Sequence, residues 1–362
     1  MFDKPGRILR PCLPEGKRIL AVSDIHGNLD YFRGLLDKCG FCGDDILIID
    51  GDFLEKGPKC LEALRFVIEL CRQGNTYAVC GNCDDWAEIF DYPDRVDRHI
   101  EKYIRTKRCG LLWEICLDMG IDPDALDLTR EKPRMRERYG AEFDFLSRIP
   151  HAIETENFVF AHAGMEKGKR LEEHTADELF HRDSFMDEGT SFGKWVIVGH
   201  WPVMLYGGDT VCANPVIDRE RHIISIDGGC VLKDDGQLNA LVIPHKFSDD
   251  FSFVSYDRFP TARVKTAQKG SRRSYYIRWG DSTVEVLERG EEFSRCRHVR
   301  TGYEMDILTK YLFTDERITG CNDCTDYVLP IEAGDEVSVV ETTSRGSFVK
   351  HRGVSGWYFG EL

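Results

Sequence analysis

The first 80 residues alternate between short apolar runs and polar corners. Arg18 to Val22 leads into Ser23-Asp24-Ile25-His26-Gly27-Asn28. Ile46-Leu47-Ile48-Ile49 runs into Asp50-Gly51-Asp52, and Tyr77-Ala78-Val79-Cys80 stops at Gly81-Asn82-Cys83-Asp84. Each run has the length and β-branched content of a buried strand. Between them, Leu29, Phe32, Leu35, Leu36 and Cys39, and then Leu61, Leu64, Ile68 and Cys71, recur by threes and fours, which predicts one amphipathic helix in each gap. Strand, helix, strand, helix, strand implies a parallel sheet with right-handed crossovers. In such sheets ligands gather where strands end at their C-termini, and all three polar corners lie there.

Further along, Ile100, Tyr103 and Ile104 sit in a charged stretch with helical spacing, so residues of about 85–147 are expected to form a helical insertion. Strand character returns at Phe158-Val159-Phe160 before His162-Ala163-Gly164, at Trp195-Val196-Ile197-Val198 before Gly199-His200, and at Ile223-Ile224-Ser225-Ile226 before Asp227-Gly228-Gly229. Past Tyr256 the composition shifts. Tyr275 to Trp279, Gly280-Asp281 and Ser282 to Leu287 predict a hairpin, and residues 325–362 alternate apolar and polar as in a small SH3-like barrel. The expected organisation is therefore a catalytic domain over 1–257, a hairpin-containing linker over 258–324 and the barrel over 325–362.

A chain of 362 residues suits two or three folded units, since single cores rarely exceed ~250 residues. The formal charge of −15 repels polyanions over most of the surface and argues against nucleic-acid binding. The basic stretch Arg263, Lys265, Lys269, Arg272, Arg273 and Arg278 reads as a solvated linker. No apolar run is long enough to span a membrane and the first residues lack a secretory core, so a cytoplasmic protein is expected. The 14 cysteines, diluted over a large acidic chain, read as reduced thiols. The pairs Cys39/Cys42, Cys80/Cys83 and Cys321/Cys324 are not at a mutual spacing that makes a zinc site.

The candidate chemistry lies in Asp24, His26, Asp52, Asn82, His162 and His200, which close five apolar runs, Asp24 and His26 sharing the first. Carboxylates, imidazoles and one amide oxygen suit Mn²⁺, Fe²⁺ or Zn²⁺. A carboxylate between two clusters can bridge two cations, which then polarise a shared hydroxide and the phosphate oxygens; Asp52 is the candidate bridge. A single such histidine would ordinarily be a core or surface residue, but six donors gathered at the ends of five strands are hard to explain so. His151, His174, His181 and His245 have no motif around them, and Asp227 reads as a structural hydrogen-bond acceptor.

Asp24-Ile25-His26-Gly27-Asn28, Gly51-Asp52-Phe53-Leu54-Glu55-Lys56-Gly57-Pro58, Gly81-Asn82-Cys83-Asp84, His162-Ala163-Gly164 and Gly199-His200-Trp201-Pro202 resemble, in order, the motif set of the phosphoprotein phosphatases, a family of calcineurin-like metallophosphoesterases. The match spans roughly residues 18–255. It implies an α/β fold in which a β-sandwich is flanked by helices in four layers, αββα. It also implies two divalent cations, Mn²⁺ first, with Asp24 and His26 holding one, Asp52 bridging, and Asn82, His162 and His200 completing the other. The implied activity is hydrolysis of phosphate esters with a metal-bridging hydroxide as nucleophile. Bacterial relatives of this kind act on diadenosine tetraphosphate or on phosphoserine and phosphothreonine, so the implied substrates are phosphorylated small molecules, nucleotides or phosphoproteins.

The resemblance also assigns the remaining roles. Leu179-Phe180-His181-Arg182-Asp183 is similar to the segment whose arginine grips phosphate, which makes Arg182 the expected clamp. Cys83, Asp84 and Glu55 fall at catalytic positions and Lys56 at a substrate-binding one. Cys83 replaces a histidine that protonates the leaving oxygen, and Glu55-Lys56 replaces an Asp-Arg pair. A thiol with an ordinary pKa of ~8.5 is poorly matched to acid catalysis, so aryl phosphates, diesters and polyphosphate anhydrides are expected to outpace serine phosphate. Alternative readings are a dinucleoside polyphosphate hydrolase, or a catalytically weak metal-binding scaffold whose barrel recognises a peptide or its own catalytic domain.

Overall fold

The computed structural model describes residues 4–208, 210–315 and 318–362. They divide into two compact units, one of Met1–Val203, Pro215–Leu232 and Gly236–Asp257, the other of Met204–Asn214, Lys233–Asp235 and Arg258–Leu362.

In the first unit, β1 (Ile19–Val22), α1 (Leu29–Cys39), β2 (Ile46–Asp50), α2 (Cys60–Arg72) and β3 (Thr76–Val79) follow the predicted order. The three strands pair in parallel, with Ala21 opposite Ile48 and Ile49 opposite Ala78. Leu238–Ile243 and Ser252–Tyr256 add two antiparallel strands at the β1 edge, making five. Alternate residues serve two cores. Leu20, Val22, Leu47 and Ile49 pack with Phe32, Leu35, Leu64 and Val67 of the helices. Ile19, Ala21, Ile46 and Ile48 pack with Phe158, Phe160, Ile197 and Ile224 of a second sheet. Burial on both faces is why these strands read as unbroken apolar runs rather than as alternating ones.

The second sheet has six strands in the order Ile8–Leu9, Ala152–Glu154, Phe158–Phe160, Trp195–Val198, Ile223–Ser225 and Val216–Asp218. The three carrying the later motifs are mutually parallel. The result is the expected α/β sandwich with flanking helices. Residues 85–148 are largely helical, with α-helices at Asp94–Lys107, Leu111–Asp118, Leu128–Arg138 and Gly140–Arg148. This stretch is tied to the sandwich by Glu114, whose carboxylate accepts from Cys60 N at 2.6 Å and Leu61 N at 2.8 Å. Those are two of the N–H groups that the first turn of α2 leaves unpaired, at the end of the helix that favours negative charge.

In the second unit, residues 325–362 supply three consecutive antiparallel strands, Glu336–Thr342, Ser347–His351 and Val354–Tyr358. Three strands leave two open edges, which are paired by Thr261–Arg263 and Val211–Cys212. The outcome is an open five-stranded sheet rather than a closed barrel. The predicted Tyr275–Leu287 hairpin is also corrected. The tight turn exists, with Asp281 N donating to Arg278 O at 3.0 Å, but the flanking strands diverge. Tyr276–Ile277 pairs with Cys324–Thr325, and Val284–Glu288 pairs with Phe293–His298. Ile277, Val284, Cys296, Met305, Ile307 and Cys321 bury together, so apolar contacts from distant sequence outweigh the local pairing.

Among the described residues no helix is long and apolar enough to cross a membrane. All fourteen cysteines are free thiols.

Candidate metal centre

Strand ends place the donors. Asp24, Asp52, His162 and His200 each lie two residues past the last residue of a buried strand, at Val22, Asp50, Phe160 and Val198, and Asn82 follows Val79 by three. Asp24, His26, Asp52 and His200 all have left-handed backbone, with φ of 55°, 49°, 52° and 64°. Such conformations cost on the order of 1–3 kcal/mol each and persist where the surroundings dictate them. Here the loops after β1 and β2 are zipped together: Asp24 N donates to Gly51 O at 3.0 Å, His26 N to Asp52 O at 2.9 Å and Gly27 N to Phe53 O at 2.9 Å. Asp84 adds a clamp, accepting from Asp52 N at 2.7 Å, Leu54 N at 3.0 Å and Gly81 N at 3.0 Å. Its carboxylate, which the family resemblance puts at a catalytic position, is thus engaged in holding the bridging loop. Gly81 packs so close that a Cβ would overlap Asp52 Oδ1 and the Asp52 amide.

The side chains converge on Asp52. His26 Nδ1 donates to Leu54 O at 3.2 Å and His162 Nδ1 to Asp50 O at 2.8 Å, which leaves each Nε2 facing inward. His26 Nε2 stands 3.7 Å from Asp24 Oδ1 and 3.8 Å from Asp52 Oδ2, while His162 Nε2 stands 3.3 Å from Asp52 Oδ1. The two Asp52 oxygens therefore face different histidines. Asn82 Oδ1 and His200 Nδ1 face each other at 2.9 Å. The ligand atoms of Asp24, Asp52 and His162 lie within 4.8 Å of one another, and so do those of His26, Asp52 and Cys83.

The donor set fits a pair of cations. Asp24 Oδ1 and His26 Nε2 are buried without a hydrogen-bond partner, an expense that nothing in the protein offsets. Burial raises Asp24, and the neighbouring charges of Asp227 and Asp52 raise it further. Burial would lower His162, but the carboxylates of Asp52 and Asp24 outweigh it and raise its pKa to about 10, which shows how strongly the cluster attracts positive charge. His26 is lowered to about 4 by burial and by Lys56, and His200 to about 4 by burial and by His162, which keeps both imidazoles neutral and able to donate lone pairs.

The residues expected to handle substrate are placed less uniformly. Glu55 is buried and turned toward the helical insertion: Oε1 accepts from Leu111 N at 2.7 Å and Oε2 from Tyr103 OH at 3.2 Å. Burial raises its pKa to about 7. Lys56 is exposed, and the charges of Cys83, Asp52, Asp24 and Asp227 raise it against partial desolvation. Arg182 forms an ion pair with Glu188 at 2.8 Å, and it is the next residue, Asp183, that reaches His200 Nε2, at 3.5 Å. Two cavities meet at Asn82 and Trp86. One, about 610 Å³, is lined by Glu55, Lys56, Cys83, Tyr103 and Lys107. The other, about 500 Å³, is lined by Tyr92, Arg95, Phe180 and His181.

Asp227 accepts a hydrogen bond as expected, and it also stands at the position the donors occupy. It is buried, it follows the strand Ile223–Ser225 by two residues as the donors follow theirs, and burial raises it to about 6. Oδ1 accepts from Gly229 N at 2.8 Å, and Oδ2 has no hydrogen-bond partner. Its shared offset from a strand end was the available signal. Trp86 and Tyr103, whose rings stand 6.3 Å apart, had none, because their place depends on how the insertion folds back.

A family model described as calcineurin-like phosphoesterase matches residues 17–220. A protein of Halalkalibacterium halodurans named an asymmetrical bis(5'-nucleosyl)-tetraphosphatase is 24% identical over 255 residues, covering 65% of this chain and 91% of that protein. A symmetrical bis(5'-nucleosyl)-tetraphosphatase of Buchnera aphidicola subsp. Baizongia pistaciae is 42% identical over 64 residues, 17% of this chain and 22% of that one. Among solved structures, a metallophosphoesterase from Sphaerobacter thermophilus superposes with a TM-score of 0.41 at 16% identity, covering 67% of this chain and 89% of that one.

Proposed function

Because this chain belongs to the calcineurin-like phosphoesterases and is a hydrolase acting on phosphate esters, we propose that its substrates are dinucleoside polyphosphates. The observation that carries this reading is the pair of cavities meeting at Asn82 on either side of Trp86. A phosphate chain held at the donor cluster would have one room for each nucleoside, with aromatic walls from Trp86 and Tyr103 in one and Tyr92 and Phe180 in the other. The names of the relatives in Halalkalibacterium and Buchnera support it.

Asp24, His26, Asp52, Asn82, His162 and His200 would hold two divalent cations, Mn²⁺ first with Fe²⁺ or Zn²⁺ as alternatives. Bound there, the cations supply Lewis acidity, neutralising phosphoryl charge and lowering the pKa of water. The protein's own part is positional. Asp84 and the zipped loops fix Asp52; Lys56 and Lys107 bring positive charge to the cavity wall of a chain that otherwise repels polyanions; and Arg182 would grip phosphate on release from Glu188. Cys83 stands where a nitrogen acid would serve a poor leaving group. A polyphosphate leaving group needs less protonation than a serine alkoxide, which favours anhydrides over phosphoproteins. We further read the C-terminal open sheet as a module for a peptide or intramolecular partner. A cytoplasmic, bacterial setting agrees with fourteen free thiols.

Purified protein with Mn²⁺, assayed on diadenosine tetraphosphate, an aryl phosphate, an aryl diester and a phosphopeptide, tests the reading. Diadenosine tetraphosphate should be fastest and the phosphopeptide slower by ~10²–10⁴, the usual worth of a general acid. Phosphopeptide turnover as fast as that of the dinucleotide would overturn it.

A further inference from the structure

Cys83 lies on the floor of the larger cavity, half-buried, at the edge of the donor cluster. Its backbone N donates to Asp52 Oδ1 at 2.9 Å, which seats the residue against the bridging carboxylate. The ligand atoms of Cys83, His26 and Asp52 lie within 4.8 Å of one another, close enough to share one ion. His26, fully buried, aims an unpartnered Nε2 into the same space, with its Nδ1 already committed to Leu54 O. Asn82 Nδ2 donates to Cys83 Sγ at 3.5 Å, an N–H···S contact of the kind that steadies a thiolate from outside.

We propose that Cys83 is itself a metal ligand, a thiolate completing the donor set of Asp24, His26 and Asp52 around the first cation. The inference rests on the two-cation reading of the site and goes further, because it makes the two positions chemically unequal. The first would offer sulfur, nitrogen and two carboxylates, four protein donors that suit Zn²⁺, Fe²⁺ or Co²⁺. The second, with Asn82, His162, His200 and the shared Asp52, offers only nitrogen and oxygen. On binding, the thiol proton leaves to solvent and a sulfur lone pair forms the bond to the cation, with no change in oxidation state. Cys83 would then not be free to protonate a leaving group.

Cobalt separates this from the parent reading, since thiolate-to-Co²⁺ charge transfer absorbs in the near ultraviolet whereas nitrogen and oxygen ligands give no such band. Chelator-stripped full-length protein, refilled with Co²⁺, should bind two ions and show the band. The band should vanish in Cys83→Ser with at least one ion still bound, and should persist in Cys109→Ser and Cys321→Ser, which remove the cavity's other thiol and one of the Cys321/Cys324 pair. Two bound ions without the band, or a band unchanged in Cys83→Ser, would overturn the proposal and leave the two-cation reading standing. No bound cobalt would overturn both. Loss of all cobalt in Cys83→Ser, with the circular dichroism of the wild type retained, would support the ligand role more strongly.

Discussion

The donor loops and the cavity wall around them are built on different principles. Every donor loop is a corner at the end of a buried strand, and its geometry is set by backbone pairing: the loops of Asp24 and Asp52 are stitched by three N–H···O bonds, and Asp84 binds three further amides. The wall is set by side chains reaching in from the helical insertion, such as Tyr103 and Trp86. A centre fixed by the backbone tolerates little change in geometry. A wall fixed by side chains can be rebuilt for another substrate while the centre stays the same.

The largest expected effect lies at the centre. Asp52→Asn removes a charge facing both His26 and His162 while keeping the side chain's shape, so phosphoesterase activity should fall by at least ~10³-fold, in line with losing a principal electrostatic contribution. The far-ultraviolet circular dichroism should be unchanged. Activity surviving at a tenth of wild type would break the distinction between centre and wall, because the bridging position would then be dispensable.

A smaller effect belongs to the wall. Glu55 has its pKa raised to about 7 by burial, against 4.5 for a free glutamate. The folded state therefore holds the proton more tightly than the unfolded one. Below about pH 4.5 the group is neutral in both states; as pH rises from there through about 7 the unfolded carboxyl ionises first and stability falls, by a ceiling of about 3.5 kcal/mol at ~1.4 kcal/mol per unit. Glu55→Gln keeps an acceptor for Leu111 N without the ionisation. It should melt close to wild type at pH 5 and higher than wild type at pH 8, with bound metal unchanged. Equal melting at both pH values, or lost metal, would move Glu55 from the wall to the centre.

The contrast between centre and wall also explains what could be read from the chain. Asp24, Asp52, His162 and His200 are legible because an unbroken apolar run with a polar end marks both a strand and its C-terminal corner. Asp227 obeys the same offset, yet Asp227-Gly228-Gly229 also reads as an ordinary turn, so the offset alone does not single it out. Glu55 and Asp84 were expected at catalytic positions, whereas their carboxylates bind backbone amides of Leu111 and of Asp52, Leu54 and Gly81; no local pattern shows which way a carboxylate turns once an insertion packs over it. In the second unit the turn at Gly280-Asp281 was legible and the partners of its strands were not. Pairing there is decided by contacts such as Val284 opposite His298, which depend on the global fold.

At the root of both the centre and its chemistry is our proposal that Asp52 bridges two cations. Crystals grown with Mn²⁺, with data collected on either side of the manganese absorption edge, test this most directly. Two anomalous peaks flanking Asp52, one toward Asp24 and His26 and the other toward Asn82, His162 and His200, are the predicted result. A single peak, or none near Asp52, would contradict it.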